Sequence, residues 1–199
     1  HVAHVEAESA LADWVALEAA LLFSSGYAAN VGALSTLLER GDVVFSDRLN
    51  HASIIDGLRL GRAEVHVFEH GDLAHLDALL RAHRSSGRRA LIATDSLFSM
   101  DGDLADLRGL RALANAHDAI LYVDEAHALG VVGDGRGACH AAGVRPDVLV
   151  GTLGKAVGVG GAFVAGSRPL RDLLENRARA YVFSTAPPPA LAAAVIEAV

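Results

Sequence analysis

The chain has 199 residues, 52% hydrophobic and 21% charged, a balance that excludes a disordered segment and suffices for one domain with a sizeable core. A net charge of −7 removes the electrostatic case for binding nucleic acid or an anionic membrane surface. The single cysteine, Cys139, excludes an internal disulfide and fits a reducing, cytoplasmic setting, and the longest apolar run, 190–196, is far too short to span a bilayer. The opening His1-Val-Ala-His-Val-Glu6 lacks a signal-peptide pattern. Because the chain does not begin with Met and stops inside an apparent helix over 189–199, it is expected to be one domain of a longer protein.

Residues 6–18 set Leu11, Trp14, Val15 and Leu17 at helical spacing behind an acidic first turn. A short apolar run, 20–23, then meets Ser24-Ser-Gly-Tyr-Ala-Ala-Asn30, and the pattern is helical from 28 to 40. A small Gly-containing loop that opens a helix offers free amides and a positive dipole end, which suits a phosphate, although a plain turn has the same pattern. Residues 42–46 read as a strand, 47–53 as a loop that starts a helix to Leu60, and 63–68 as a more exposed strand. An amphipathic helix over 73–83 precedes a buried strand over 89–94, the loop 95–103 and a helix over 104–117. After strand 119–123 come a glycine-rich loop over 130–137, a strand from 147, a turn and strand over 158–166 and a helix over 168–180. Strands alternating with helices throughout predict an α/β domain with a mostly parallel sheet flanked by helices.

Two apolar runs in this pattern end abruptly in polar residues: Ala-Ile-Leu-Tyr-Val-Asp-Glu-Ala-His at 119–127 and Asp-Val-Leu-Val-Gly-Thr-Leu-Gly-Lys at 147–155. Ligands of open α/β sheets sit beyond the carboxyl ends of such strands, so Asp124, His127 and Lys155 should converge on one crevice. An uncharged lysine attacks carbonyl carbon, and Gly154, Ala156 and Gly158 leave room beside Lys155 for a planar ligand. A pyridoxal phosphate site needs that lysine, an acid for the pyridine nitrogen and a phosphate cradle. Asp124 and the loop Ser25-Gly26-Tyr27 are the candidates. The bland alternatives are a surface lysine and an Asp-Glu pair that only caps a helix. Asp124-Glu-Ala-His127 also matches a helicase motif, but that chemistry needs an upstream G-x-x-x-x-G-K-[ST] loop, and there is none. The ten histidines mostly occur singly, with no Cys/His cluster, so no metal is expected.

The chain resembles the large domain of the α-oxoamine synthases, a family of fold-type I pyridoxal-phosphate enzymes. The resemblance runs nearly end to end, through Leu22-Phe-Ser-Ser-Gly-Tyr-Ala-Ala-Asn30, Asp47-Arg-Leu-Asn-His-Ala-Ser53, Phe98-Ser-Met-Asp-Gly-Asp103, Val123-Asp-Glu-Ala-His127, Gly133-Asp-Gly-Arg-Gly137, Thr152-Leu-Gly-Lys155 and Phe183-Ser-Thr-Ala-Pro-Pro188. It implies that residues 1–199 form the cofactor-binding large domain, with an N-terminal arm and a C-terminal small domain missing, and that this piece alone turns over poorly. Lys155 would form the Schiff base and move the α-proton, Asp124 would pair with the pyridinium nitrogen, His127 would contact the ring oxygen, and His51 would stack on the ring. Ser25, Gly26, Tyr27 and Thr152 would hold the phosphate, Ser99 would lie near the ring oxygen, and Ser184 and Thr185 would reach the phosphate of a partner subunit in a homodimer. The implied reaction condenses an amino acid with an acyl-CoA or acyl-carrier-protein thioester and releases carbon dioxide. The Gly-Arg-Gly and Phe-Ser-Thr-Ala-Pro-Pro segments point to the branch that uses L-alanine and a pimeloyl thioester, with acetyl- and palmitoyl-transferring branches as alternatives. A silent scaffold of the same fold would typically lose the lysine, and Lys155, Asp124 and His127 are all present.

Overall fold

A computed structural model describes residues 1–84 and 88–199. In chain order the elements are α1 (Val2–Trp14), β1 (Ala19–Phe23), α2 (Gly26–Leu37), β2 (Val43–Asp47), α3 (Ala52–Gly61), β3 (Glu64–Phe68), α4 (Leu73–His83), β4 (Ala90–Asp95), α5 (Leu107–Ala116), β5 (Ala119–Asp124), α6 (Ala138–Ala142), β6 (Val148–Thr152), β7 (Ala162–Gly166), α7 (Arg168–Arg177), α8 (Arg179–Val182) and α9 (Pro189–Ala198). The strands form one seven-stranded sheet in the order β1-β7-β6-β5-β4-β2-β3. From β3 to β6 every pairing is parallel, while β7 runs antiparallel to both β6 and β1. The mostly parallel sheet read from the alternation of elements is therefore the one observed.

Strand periodicity divides the core into layers. Val44, Leu91, Ala93 and Tyr122 point to one face, under α2, α3 and α7. Their neighbours Val43, Phe45, Ile92, Leu121 and Val123 point to the other, under α4, α5 and α6, and α1 and α9 cover Leu22, Leu149 and Phe163 farther along. The chain runs outward from β2 to β3, returns to β4 and then proceeds the opposite way to β5 and β6. That reversal opens a crevice at the carboxyl ends of the central strands.

Three boundaries differ from the sequence pattern. Helix α1 begins at Val2 because the His1 ring accepts the Ala3 amide at 3.2 Å, so Glu6 and Glu8 lie inside the helix and not in its first turn. Helix α5 begins late because Asp106 caps it, accepting the Gly109 amide at 3.0 Å, and the residues ahead of it close a loop through a Leu97–Leu104 bridge. The helix over 168–180 is broken at Ala178, whose extended backbone (ψ 106°) separates α7 from α8. The short α6 carries no periodic signal and was not predicted.

Helix α2 carries site residues at its start and packs closely on α3 at Gly57. A Cβ at Gly57 would stand 2.9 Å from the Asn30 carbonyl oxygen and 3.0 Å from Leu34 Cβ. Gly57→Ala gains helix propensity worth about 1 kcal/mol, but the backbone carbonyl cannot yield as a side chain can, and overpacking of this kind costs about 1–3 kcal/mol. Urea denaturation should therefore show a lower midpoint for Gly57→Ala, and an equal or higher one would mean that the two helices part freely.

Candidate active site

Each central strand ends in a polar residue: β2 in Asp47, β4 in Asp95, β5 in Asp124 and β6 in Thr152. Beyond three of these ends lies a cavity of about 190 Å³ whose lining includes Gly26, His51, Asp124, His127, Thr152 and Lys155. Residues far apart in sequence thus meet where the parallel sheet places its ligands. Ser25, which caps α2 at the edge of this cavity, and Ser99, Ser184 and Thr185 are not among its lining residues. Ser99 is exposed in the loop after β4, and Ser184 and Thr185 lie in a separate cavity of about 360 Å³ beside Glu8 and Arg171.

Asp124 is buried and held at both oxygens. Its Oδ2 accepts from Asn30 Nδ2 at 2.7 Å and its Oδ1 from the Ala126 amide at 2.8 Å. Asn30 is fixed in turn, since Tyr122 donates its hydroxyl to Asn30 Oδ1 at 2.6 Å and Asn30 Nδ2 also reaches Ser53 Oγ at 2.8 Å. Ser53 lies 2.7 Å from His51 Nδ1, and the Ser53 amide donates to the same nitrogen at 3.2 Å. An amide can only donate, so Nδ1 is the acceptor and the His51 proton sits on Nε2. One polar chain therefore sets the positions of Asp124 and His51 together.

Asp95 stands beside Asp124 in the β4–β5 register and is also buried. Burial, and secondarily the charge of Asp124, push its carboxyl up from 3.8 to about 7. One oxygen accepts the His51 amide at 2.8 Å, which ties the start of α3 to the end of β4. Lys155 is exposed as a residue, yet desolvation lowers its amine below the ordinary value against the opposing pull of Asp124 and Asp95. Its Nζ lies 2.6 Å from His127 Nε2. Burial, and next the Lys155 charge, lower the His127 imidazole as well. At that distance a proton can pass directly between the two nitrogens.

At the start of α2, Ser25 Oγ takes the Ala28 amide at 3.2 Å and the Ser25 carbonyl takes the Ala29 amide at 2.9 Å. The amides of Gly26 and Tyr27 remain at the helix mouth for an anion. A Cβ on Gly26 would lie 3.9 Å from Thr152 Oγ1, in ordinary contact, and would occupy part of this corner. The Tyr27 ring turns outward, donating its hydroxyl to Asp56 at 2.9 Å.

The Asp-Glu pair after β5 divides its labour. Asp124 faces the cavity, whereas the fully buried Glu125 accepts the amides of Ala138 and Cys139 at 2.8 and 2.6 Å and so caps α6. The helix-cap reading of this pair is true of its second residue. Gly137, at φ 96°, lies so close that any Cβ there would run into Glu125.

Sequence reasoning missed Asp95 and Asn30. Asp95 had the signal that selected Asp124, an acid closing a buried apolar run. Asn30 had none, because nothing local says that an amide in a helix will face a strand end. A further signal was available in composition: Lys155 is the chain's one lysine, every other residue of the Lys/Arg class being arginine. A guanidinium cannot form a Schiff base, so amine chemistry is a reason to retain a lysine at this place alone.

The raised Asp95 carboxyl fixes the sign of a pH effect. Its folded-state value exceeds its unfolded one, so ionisation favours the unfolded chain, and stability falls as pH rises from 3.8 towards about 7. Asp95→Asn should raise the melting temperature of the ligand-free protein at pH 8, and this advantage should shrink as pH is lowered towards 4. A pH-independent difference would assign the effect to packing alone.

A family profile described as aminotransferase class I and II matches residues 1–198. An 8-amino-7-oxononanoate synthase of Chromobacterium violaceum is 57% identical over 196 residues, covering 98% of this chain and 51% of that protein. A serine palmitoyltransferase variant from S. paucimobilis, solved with bound PLP and myriocin, superposes with a TM-score of 0.94 at 36% identity, covering 100% of this chain and 52% of that one. A crystal structure of 8-amino-7-oxononanoate synthase from Francisella tularensis gives a TM-score of 0.87 at 32% identity, over 100% of this chain and 58% of that one. The chain spans about half the length of the curated relatives it matches.

Proposed function

The chain belongs to the aminotransferase class I and II family, and on that premise we propose that it is the cofactor-binding half of a pyridoxal-phosphate-dependent acyltransferase of the 8-amino-7-oxononanoate synthase type. The reaction would join L-alanine to a pimeloyl thioester of coenzyme A or acyl-carrier protein, releasing the thiol and carbon dioxide. The observation that carries the reading is the meeting of Lys155, Asp124, His51, His127 and the two free helix amides in one cavity. This donor set fits pyridoxal phosphate: an amine for its aldehyde, a fixed carboxylate for its ring nitrogen, a flat imidazole for its ring face and amides for its phosphate. When bound, the group supplies an electron sink for the carbanion at the amino acid's α-carbon.

The chain's own residues do the rest. Asp124 is locked by Asn30 and the Ala126 amide, so its carboxylate need not reorganise to favour a protonated ring nitrogen. The lowered amine of Lys155 shortens the step to the uncharged form that attacks carbonyl carbon, and His127 Nε2 at 2.6 Å offers a place for the proton. In its uncharged form the same amine would take the α-proton. The Gly26 and Tyr27 amides and the dipole of α2 would hold the phosphate, with Thr152 beside them. Thr152 donates to the Gly161 carbonyl at 3.3 Å and would turn from it to a phosphate oxygen.

A homodimer completes the reading for Ser184 and Thr185, whose loop would reach the phosphate in the partner's site, while the loop of Ser99 would close towards the ring oxygen. Those loops also expose Met100 at 90% and Phe183 at 74%, apolar surface that a second copy would cover. Turnover is expected to require the half of the enzyme that the relatives possess beyond this chain.

With one lysine, the covalent site has one side-chain amine to report. Borohydride reduction in the presence of pyridoxal phosphate should add one pyridoxyl group, mapped to Lys155, and Lys155→Arg should add none. Label confined to the N-terminal amine would sink the proposal. In the full-length enzyme, thiol release from pimeloyl-CoA with L-alanine should exceed that from acetyl-CoA with glycine or palmitoyl-CoA with L-serine. Lys155→Arg should reduce it by roughly 10²–10⁴-fold, the scale of general acid–base catalysis alone. Preference for either other substrate pair would move the chain to that branch.

A further inference from the structure

Strand β3 is the open edge of the sheet, and its alternation sends Glu64, His66 and Phe68 to one face. Phe68 packs there with Leu76 and Leu80 of α4. His83 continues that helical stripe, three residues beyond Leu80, and so arrives over His66. The two imidazoles stack at 3.8 Å between centroids with 24° between their planes, and Phe45 backs His66 from the next strand at 5.7 Å. Glu64 Oε1 lies 3.1 Å from His66 Nε2. That nitrogen is shut off from solvent, and its contact with Glu64 is within reach but lacks the alignment of a hydrogen bond. One donor atom from each of Glu64, His66 and His83 lies within 4.8 Å of the other two, the one such trio among the described residues.

We propose that Glu64, His66 and His83 bind a zinc-type divalent cation that clips the edge strand β3 to the end of α4. Two imidazoles and a carboxylate suit zinc, cobalt or nickel, whereas calcium and magnesium favour all-oxygen sets. A tetrahedral ion at about 2.0–2.1 Å from each donor needs the donors about 3.3 Å apart. The donors now lie within 4.8 Å of one another, so the exposed Glu64 must swing inward and His83 must turn out of its stack to reach that spacing, while Phe45 still backs His66. Water completes the fourth position. The trio sits towards the amino ends of the strands, opposite the Lys155 cavity, so the role is structural. The ion would give the His66 nitrogen a partner and restrain an exposed sheet edge. The scatter of the histidines along the sequence does not show this grouping, because sheet and helix periodicity bring distant residues together.

The test is Co²⁺ titration of the chelator-stripped chain, read by the visible bands of tetrahedral cobalt and followed by Zn²⁺ competition. One equivalent should bind with a dissociation constant below roughly 10 µM, and Zn²⁺ should displace it and raise the melting temperature. Glu64→Gln should weaken binding at least about tenfold, and His83→Ala should remove the tetrahedral spectrum. Glu64→Gln changes an exposed side chain and decides the matter alone should His83→Ala fail to fold. No saturable binding, or unchanged affinity in Glu64→Gln, would overturn the assignment.

Discussion

Two buried carboxylates, Asp95 and Asp124, stand side by side at the ends of adjacent parallel strands, and much of the local structure answers to them. Removing two like charges from water is unfavourable unless each is protonated or surrounded by donors. The chain does some of both. Asp95 is pushed up to about 7, whereas Asp124 receives an asparagine and a backbone amide. The site is thus polarised before any ligand arrives, with a cationic partner favoured at Asp124 and an amine drawn towards the pair at Lys155.

Helix α2 is the device that meets both requirements of the proposed ligand. Its first turn offers two amides to an anion, and one turn further on Asn30 turns back to grip Asp124. The helix can do both only because it lies close to α3, and Gly57 permits that approach at the Asn30 carbonyl. Through Ser53 the same contact sets the ring of His51. Phosphate cradle, acid and stacking imidazole are therefore positioned by one helix–helix packing and not by three independent loops.

Other enclosed polar groups obey the same physics with different outcomes. Glu125, buried like Asp124, is satisfied by the amides of α6 and takes no part in the cavity. His66 is enclosed by rings on both faces but left without a hydrogen-bond partner. A buried polar atom with all its partners belongs to the scaffold. One without invites a ligand.

By itself the sequence determined the alternation of strands and helices, the abrupt ends of the buried strands and the place of the lysine, because periodicity and the chemistry of an amine are local properties. It also determined that Asp124 and Lys155 would share a crevice, since parallel strands present their carboxyl ends on one side. Only the tertiary structure decided that Asn30 would clamp Asp124, that Asp95 would titrate near neutral pH, that Glu125 would cap a helix its neighbour ignores, and that His83 would lie on His66. Each of these depends on which helix crosses which strand end and at what distance. That distance is set by glycine contacts between elements far apart in the chain, a quantity no local pattern encodes. Ser99, Ser184 and Thr185, singled out in the sequence, lie away from the cavity within this chain, a placement that no local pattern encodes.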